Sequence, residues 1–123
     1  EYLKGGGGKI YDYLDANEAV MWLRGDYQDR EGAPAGPAQG WRRIDANQAA
    51  EFASKGYVVI AGWQNPTGRA GHMAVVRPDS QPDAIRIAQA GANNFSNGAL
   101  SDGFGNHEPI EFFVHMPNQN GQA

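Results

Sequence analysis

The chain predicts one α+β domain, with N-terminal helices followed by an antiparallel β-meander of about four strands. Three observations carry that expectation. Two early segments open with the same capped-helix signature, the chain after Gly56 turns to short β-branched and aromatic runs, and clusters of Pro, Gly, Asn and Asp punctuate those runs. At 123 residues the chain is long enough for a single core without disulfide staples, so residues 1–123 are read as one domain.

The first helix is expected in "LDANEAVMWLRG". Asp15 can cap the exposed backbone N–H groups while Glu18 reaches back to the cap, a reciprocal capping box. Ala16, Ala19, Val20 and Leu23 then share one helical face, and Gly25 is placed to end it. In "IDANQAAEFASKG", Asp45 and Gln48 play the capping parts, Ala46, Ala49, Ala50 and Ala53 form the face, and Gly56 stops the helix. Leu14 and Ile44 sit where a hydrophobic staple belongs. The repeated "DAN" reads as two uses of one capping solution, since nothing around it repeats. Upstream, "KIYDYL" is expected to add a helical turn or two after the glycines Gly5 to Gly8.

Between the helices, Gly32 to Gly40 reads as a surface loop from its Pro and Gly content. The expected strands are Tyr57–Trp63, His72–Arg77, Ala84–Ala90 and Ile110–Met116. Gly91 to Glu108 reads as a long polar loop, and the tail after Pro117 as frayed.

Composition removes several function classes. A net charge of −4 with scattered Lys and Arg leaves no basic face for nucleic acid. No apolar run approaches the roughly 20 residues needed to span a bilayer. The chain has no cysteine, which removes disulfide, thiolate–zinc and iron–sulfur chemistry. His107 and His115 lack metal-ligand spacing and read as surface residues, so no metal or organic cofactor is expected. Trp22 and Trp41 read as structural.

The chemistry-bearing stretch is "GRAGHMAVVRP", where a glycine turn delivers His72 to the first position of an apolar strand. With a hairpin loop from Pro78 to Asp83, Val76 is expected opposite Ile85, Ala74 opposite Ile87 and His72 opposite Gln89. Strand alternation puts all six on one side of the sheet. Directly opposed Cβ atoms lie about 5 Å apart, close enough for the Gln89 carboxamide to orient the imidazole. That is a base and its orienter, two thirds of a nucleophilic triad. The competing reading makes His72 a solvated strand-end residue and Trp63 a packing residue.

The run "GYVVIAGWQNPTGRAGHMAVVRP", followed by "IRIAQAG" and later by "IEFFVH", resembles the C-terminal part of papain-like peptidoglycan hydrolases. These are the NlpC-type and CHAP-type amidases and endopeptidases, with related secreted amidase effectors. The likeness begins at Gly56 and rests on the "G-H-x-A-V-V" strand, a polar residue on the next strand, and a final aromatic strand. It implies a secreted or periplasmic bacterial hydrolase of cell-wall stem peptides, with His72 as base and Gln89 as its orienting residue. Asn93 is a second candidate for the orienting part and otherwise a substrate-binding residue. Trp63, Gln64, Asn65 and Arg69 would border the substrate cleft, with Arg69 meeting peptide carboxylates.

The family's nucleophile is a cysteine at a helix N-terminus before the sheet, where helix dipole and imidazole favour the thiolate. Asp15 and Asp45 occupy the two helix starts here. Ser54, Ser96 and Ser101 are the serines considered in its place, none within an elbow motif. The chain starts at Glu1 rather than Met, and the cysteine helix is expected to precede it, as a removed segment or a separate fragment. Expected partners are therefore peptidoglycan or its peptides, an N-terminal fragment or an inhibitor protein. Two rival functions stand beside amide hydrolysis. One is a non-catalytic peptidoglycan-binding module; the other is a glycan-cleaving wall hydrolase using a carboxylate such as Glu18 or Glu31.

Overall fold

The computed structural model describes residues 3–4, 13–26, 40–89 and 94–116. Its order is β1 (Leu3–Lys4), β2 (Tyr13–Leu14), α1 (Ala16–Arg24), β3 (Trp41–Ile44), α2 (Ala46–Ser54), β4 (Val58–Trp63), β5 (His72–Val76), β6 (Arg86–Gln89), β7 (Phe95–Ala99), α3 (Leu100–Phe104) and β8 (Glu111–His115). The architecture is α+β: a six-stranded antiparallel sheet, ordered β3-β8-β4-β5-β6-β7, with three helices against it. A separate two-stranded ribbon joins β1 to β2.

Both capping boxes form as the sequence dictates. Asp15 accepts from the Glu18 N–H at 2.8 Å and Asp45 from the Gln48 N–H at 2.7 Å, each box closed by the return bond to the cap N–H. Gly25 ends α1 in the left-handed conformation (φ 95°) that favours glycine. α1 sets Val20 and Leu23 against Phe113 on one face of the sheet. α2 and α3 cover the opposite face, where Ala49, Ala50, Ala53 and Phe104 close over Val59, Ala61, Val76 and Ile87.

The expected layout needs four corrections. The main sheet has six strands rather than about four, because β3 lies between the two helices and β7 lies within the expected long loop. Only β4 to β7 meander; β8 returns to pair between β3 and β4, so that Phe113 and Val114 are fully buried. Tyr13 and Leu14 are extended and paired with Lys4 and Leu3, not helical. The fourth concerns the β5–β6 register, where Val76 faces Ile87, not Ile85.

That register has a local cause. A tight turn at Pro82–Asp83 is closed by mutual bonds between Gln81 and Ala84. The Ser80 hydroxyl then accepts from the Arg86 N–H at 2.8 Å and donates to its carbonyl at 3.1 Å. The ladder resumes with the Arg77 N–H on the Arg86 carbonyl, 2.8 Å. A polar cluster ties the same end to β7, with Asn97 bridging Arg86 to Asp79 and Arg77 reaching both Asp79 and the Ser96 carbonyl. At Asp79 desolvation, the largest single effect, would raise the carboxyl, but the bonds from Asn97 and Arg77 and the Arg77 charge together outweigh it. The group is held below its ordinary value.

At the other end of the sheet, the buried Glu111 (5% exposed) meets Arg24 through two bonds, at 2.5 and 3.0 Å, and Arg43 at 3.1 Å. Hydrogen bonding to Glu111 holds the Arg24 guanidinium above its usual range, against the opposing effect of desolvation. This fork-on-carboxylate contact clamps the C-terminal end of α1 to the start of β8. No helix among the described residues is long and apolar enough to cross a membrane.

Candidate active site

The end of the sheet where β4 finishes and β5 begins gathers the polar and aromatic residues. The last pair of that hairpin is Trp63 opposite His72. Extended by one residue past Val75–Ala88, the β5–β6 register brings Gln89 opposite Ala74, two residues along from His72, so the two lie diagonally rather than face to face. A slip of two residues keeps every side chain on its expected face, since the pleat repeats every two residues. Diagonal Cβ atoms are about 7 Å apart, and the glutamine stem bridges the difference. The contact is made: His72 Nε2 and Gln89 Oε1 are 2.5 Å apart.

The bond dictates the tautomer. A carboxamide oxygen only accepts, so Nε2 must carry the proton and Nδ1 the lone pair when the ring is neutral. Nδ1 forms no hydrogen bond with a described residue. No buried side-chain nitrogen or oxygen among the described residues lacks a partner, so Nδ1 is not sealed from solvent. The imidazole is half-buried and packs edge-to-face on Phe104, with centroids 4.8 Å apart at 68°. Such an imidazole, anchored at one nitrogen and open at the other, can take a proton from a group brought to Nδ1 and return it.

Trp63 shares the His72 face but is only 7% exposed. His107 stacks on its indole at 3.9 Å and 13°, and the indole N–H donates to the Glu108 carbonyl at 3.3 Å. The aromatic ring presented to solvent at this spot is therefore that of His107. His115, read as a surface residue, packs against Trp41 with centroids 4.8 Å apart.

The Gln64–Arg69 turn is held from within. Asn65 Oδ1 accepts from the Thr67 N–H and hydroxyl, at 3.0 and 2.8 Å, and its amide donates to the Ala70 carbonyl at 3.2 Å. Gln64 is half-buried beside it. Arg69 is exposed, and its guanidinium makes no ion pair with a described residue. Asn93 lies outside the described residues, as does Glu31.

Asn17 was hidden inside the first capping box. Its Oδ1 accepts from the Asn65 N–H and its Nδ2 donates to the Arg69 carbonyl, both at 2.7 Å, fastening the turn that precedes His72 to α1. Gly71 is glycine because a Cβ there would overlap Asn17 Oδ1 and lie 2.5 Å from the Trp63 carbonyl oxygen. Asn17→Ala is expected to cost about 1–2 kcal/mol in urea denaturation, two net hydrogen bonds' worth. Asn47→Ala, the exposed equivalent in α2, should stay within about 0.5 kcal/mol of wild type.

None of the three candidate serines bonds to His72. Ser54 donates to the Glu51 carbonyl at 2.7 Å, and Ser96 and Ser101 are exposed on β7 and α3 with no bond to His72. Among the described residues no three of His, Asp and Glu are grouped to hold a metal ion. No protein-family model, curated protein or solved structure matches the chain.

Proposed function

We propose that this chain is part of a papain-like, secreted or periplasmic hydrolase that cuts stem-peptide amide bonds of bacterial peptidoglycan. The observation that carries the reading is the His72–Gln89 pair, with Nε2 tied to a neutral acceptor and Nδ1 open. The "G-H-x-A-V-V" strand and the polar residue on the next strand support the family assignment.

In this reading a cysteine carried outside these 123 residues gives its thiol proton to His72 Nδ1. The thiolate adds to the scissile carbonyl carbon. As the tetrahedral intermediate collapses, the imidazolium returns the proton to the departing amine, leaving a thioester. Water, deprotonated through the same nitrogen, then releases the acid and the free thiol. Gln89 contributes by holding the ring and by accepting from Nε2–H while the imidazole is charged. Gln64, Asn65 and Arg69 form the rim on the β4–β5 side, with His107 over the buried Trp63 and the Arg69 guanidinium available to a substrate carboxylate. The chemistry calls for no metal or organic cofactor.

The test is digestion of purified sacculi by the complete gene product, with new amines and new reducing ends measured separately. Amines without reducing ends are expected; reducing ends alone would contradict the reading and favour a carboxylate-based glycosidase. Glu18, one carboxylate considered for that role, accepts from the Asp15 N–H at 3.1 Å as part of the helix cap. The absence of cysteine from the chain favours a second reading, a module that binds peptidoglycan without cutting it. Retention on sacculi with no soluble product would establish that one.

A further inference from the structure

We propose that α3 is a positioning device for the base. Gly103 leaves the room in which the Gln89 carboxamide leans toward His72, and Phe104 fixes the plane of the imidazole. Together they hold the ring in its Nε2–H form without touching substrate. The functional meaning of this inference rests on the proposed role of His72; its geometry does not.

Gln89 must lean along the sheet, because the β5–β6 ladder, with Val75 opposite Ala88, runs on toward Ala74 for Gln89 and not toward His72. A glutamine side chain in solution samples many rotamers, so a bond to the imidazole needs the carboxamide held in one of them. A Cβ on Gly103 would overlap Gln89 Oε1, lie 3.2 Å from its Cδ, and sit 2.7 Å from Ile87 Cδ1. Gly103 does not have the left-handed backbone that by itself calls for glycine. Its missing side chain is explained by space alone. The next residue, Phe104, is 1% exposed and packs on the His72 ring.

The helix carrying both residues is fastened to the sheet. The Leu100 N–H donates to the Ile85 carbonyl at 3.1 Å, and Asp102 accepts from the Ala99 N–H at 2.8 Å. One short turn therefore carries both the glycine that makes room for the carboxamide and the ring that packs on the imidazole.

The test reads the His72 ring nitrogens by long-range nitrogen–proton NMR under conditions in which the ring is neutral. Wild type should show a single Nε2–H tautomer. Gly103→Ala and Gln89→Ala should each lose that single state and give a tautomer mixture. The double variant should look like either single one, because both remove the same restraint. Phe104→Leu keeps an apolar residue in the core and should broaden or mix the ring signals, and it carries the test if Gly103→Ala does not fold. A pure Nε2–H ring in Gly103→Ala, or unchanged ring signals in Phe104→Leu, would overturn the proposal. The readout needs no substrate, so failure to cleave peptidoglycan leaves it standing, and its own failure leaves hydrolysis standing.

Discussion

Replacing His72 by alanine is expected to reduce amine release from sacculi by about 10²–10⁴-fold, the range removed with a positioned general base. The fold should persist, because His72 is half-buried at the first position of β5 and the core behind it is built from Ala61, Ala74, Val76 and Ile87. Gln89→Ala should fall between wild type and His72→Ala, since the base remains but its tautomer and direction are no longer set. The diagonal relation makes a sharper statement. Gln89→Asn shortens the side chain by one methylene at a place where the carboxamide must cross about 7 Å, so it should behave like Gln89→Ala. Binding to insoluble peptidoglycan, measured in parallel, should be unchanged in all three variants.

Arg24→Met is expected to be the most damaging change to stability, about 3 kcal/mol by urea denaturation, the lower end of the cost of stranding a buried charge. It leaves Glu111, 5% exposed, with only Arg43, whose side chain is 58% exposed and screened by water. Adding Glu111→Leu should recover most of the loss, because an apolar pair of similar volume replaces the whole ion pair instead of half of it. Equal destabilisation of single and double variants would mean that Arg24 acts through its packing alone. The pair bears on the candidate site because α1 carries Asn17 at one end and Arg24 at the other. Its N-terminus fastens the turn before His72, and its C-terminus is fastened to β8.

The parts of this fold legible in the sequence are those set by neighbours along the chain. Asp15 with Glu18 and Asp45 with Gln48 announce two helices because a capping box is complete within four consecutive residues. The period of two in "HMAVV" and "AIRIAQ" puts His72 and Gln89 on one face, and any register differing by an even number of residues preserves that result. The register itself was not legible, because it depends on the Ser80 hydroxyl bonding both backbone groups of Arg86. β7 reads "FSNGA", poor in β-branched residues, and is a strand only because β6 supplies its partner. β3, "WRRI", lacks alternation for a similar reason: β8 recruits it. Phe104, Gly103 and Asn17 act through contacts between distant segments, and no spacing rule reveals those. The only hint was local, a glycine inside a helical turn and an asparagine beside a cap that did not need it.

The proposed hydrolysis requires His72 to serve a cysteine thiol. The most direct measurement is the alkylation rate of the cysteine in the complete gene product by iodoacetamide at neutral pH, for wild type and for His72→Ala. A thiol that reacts rapidly in wild type and markedly more slowly once the imidazole is removed is the predicted result. A gene product with no cysteine, or a thiol whose reactivity is indifferent to His72→Ala, would contradict it.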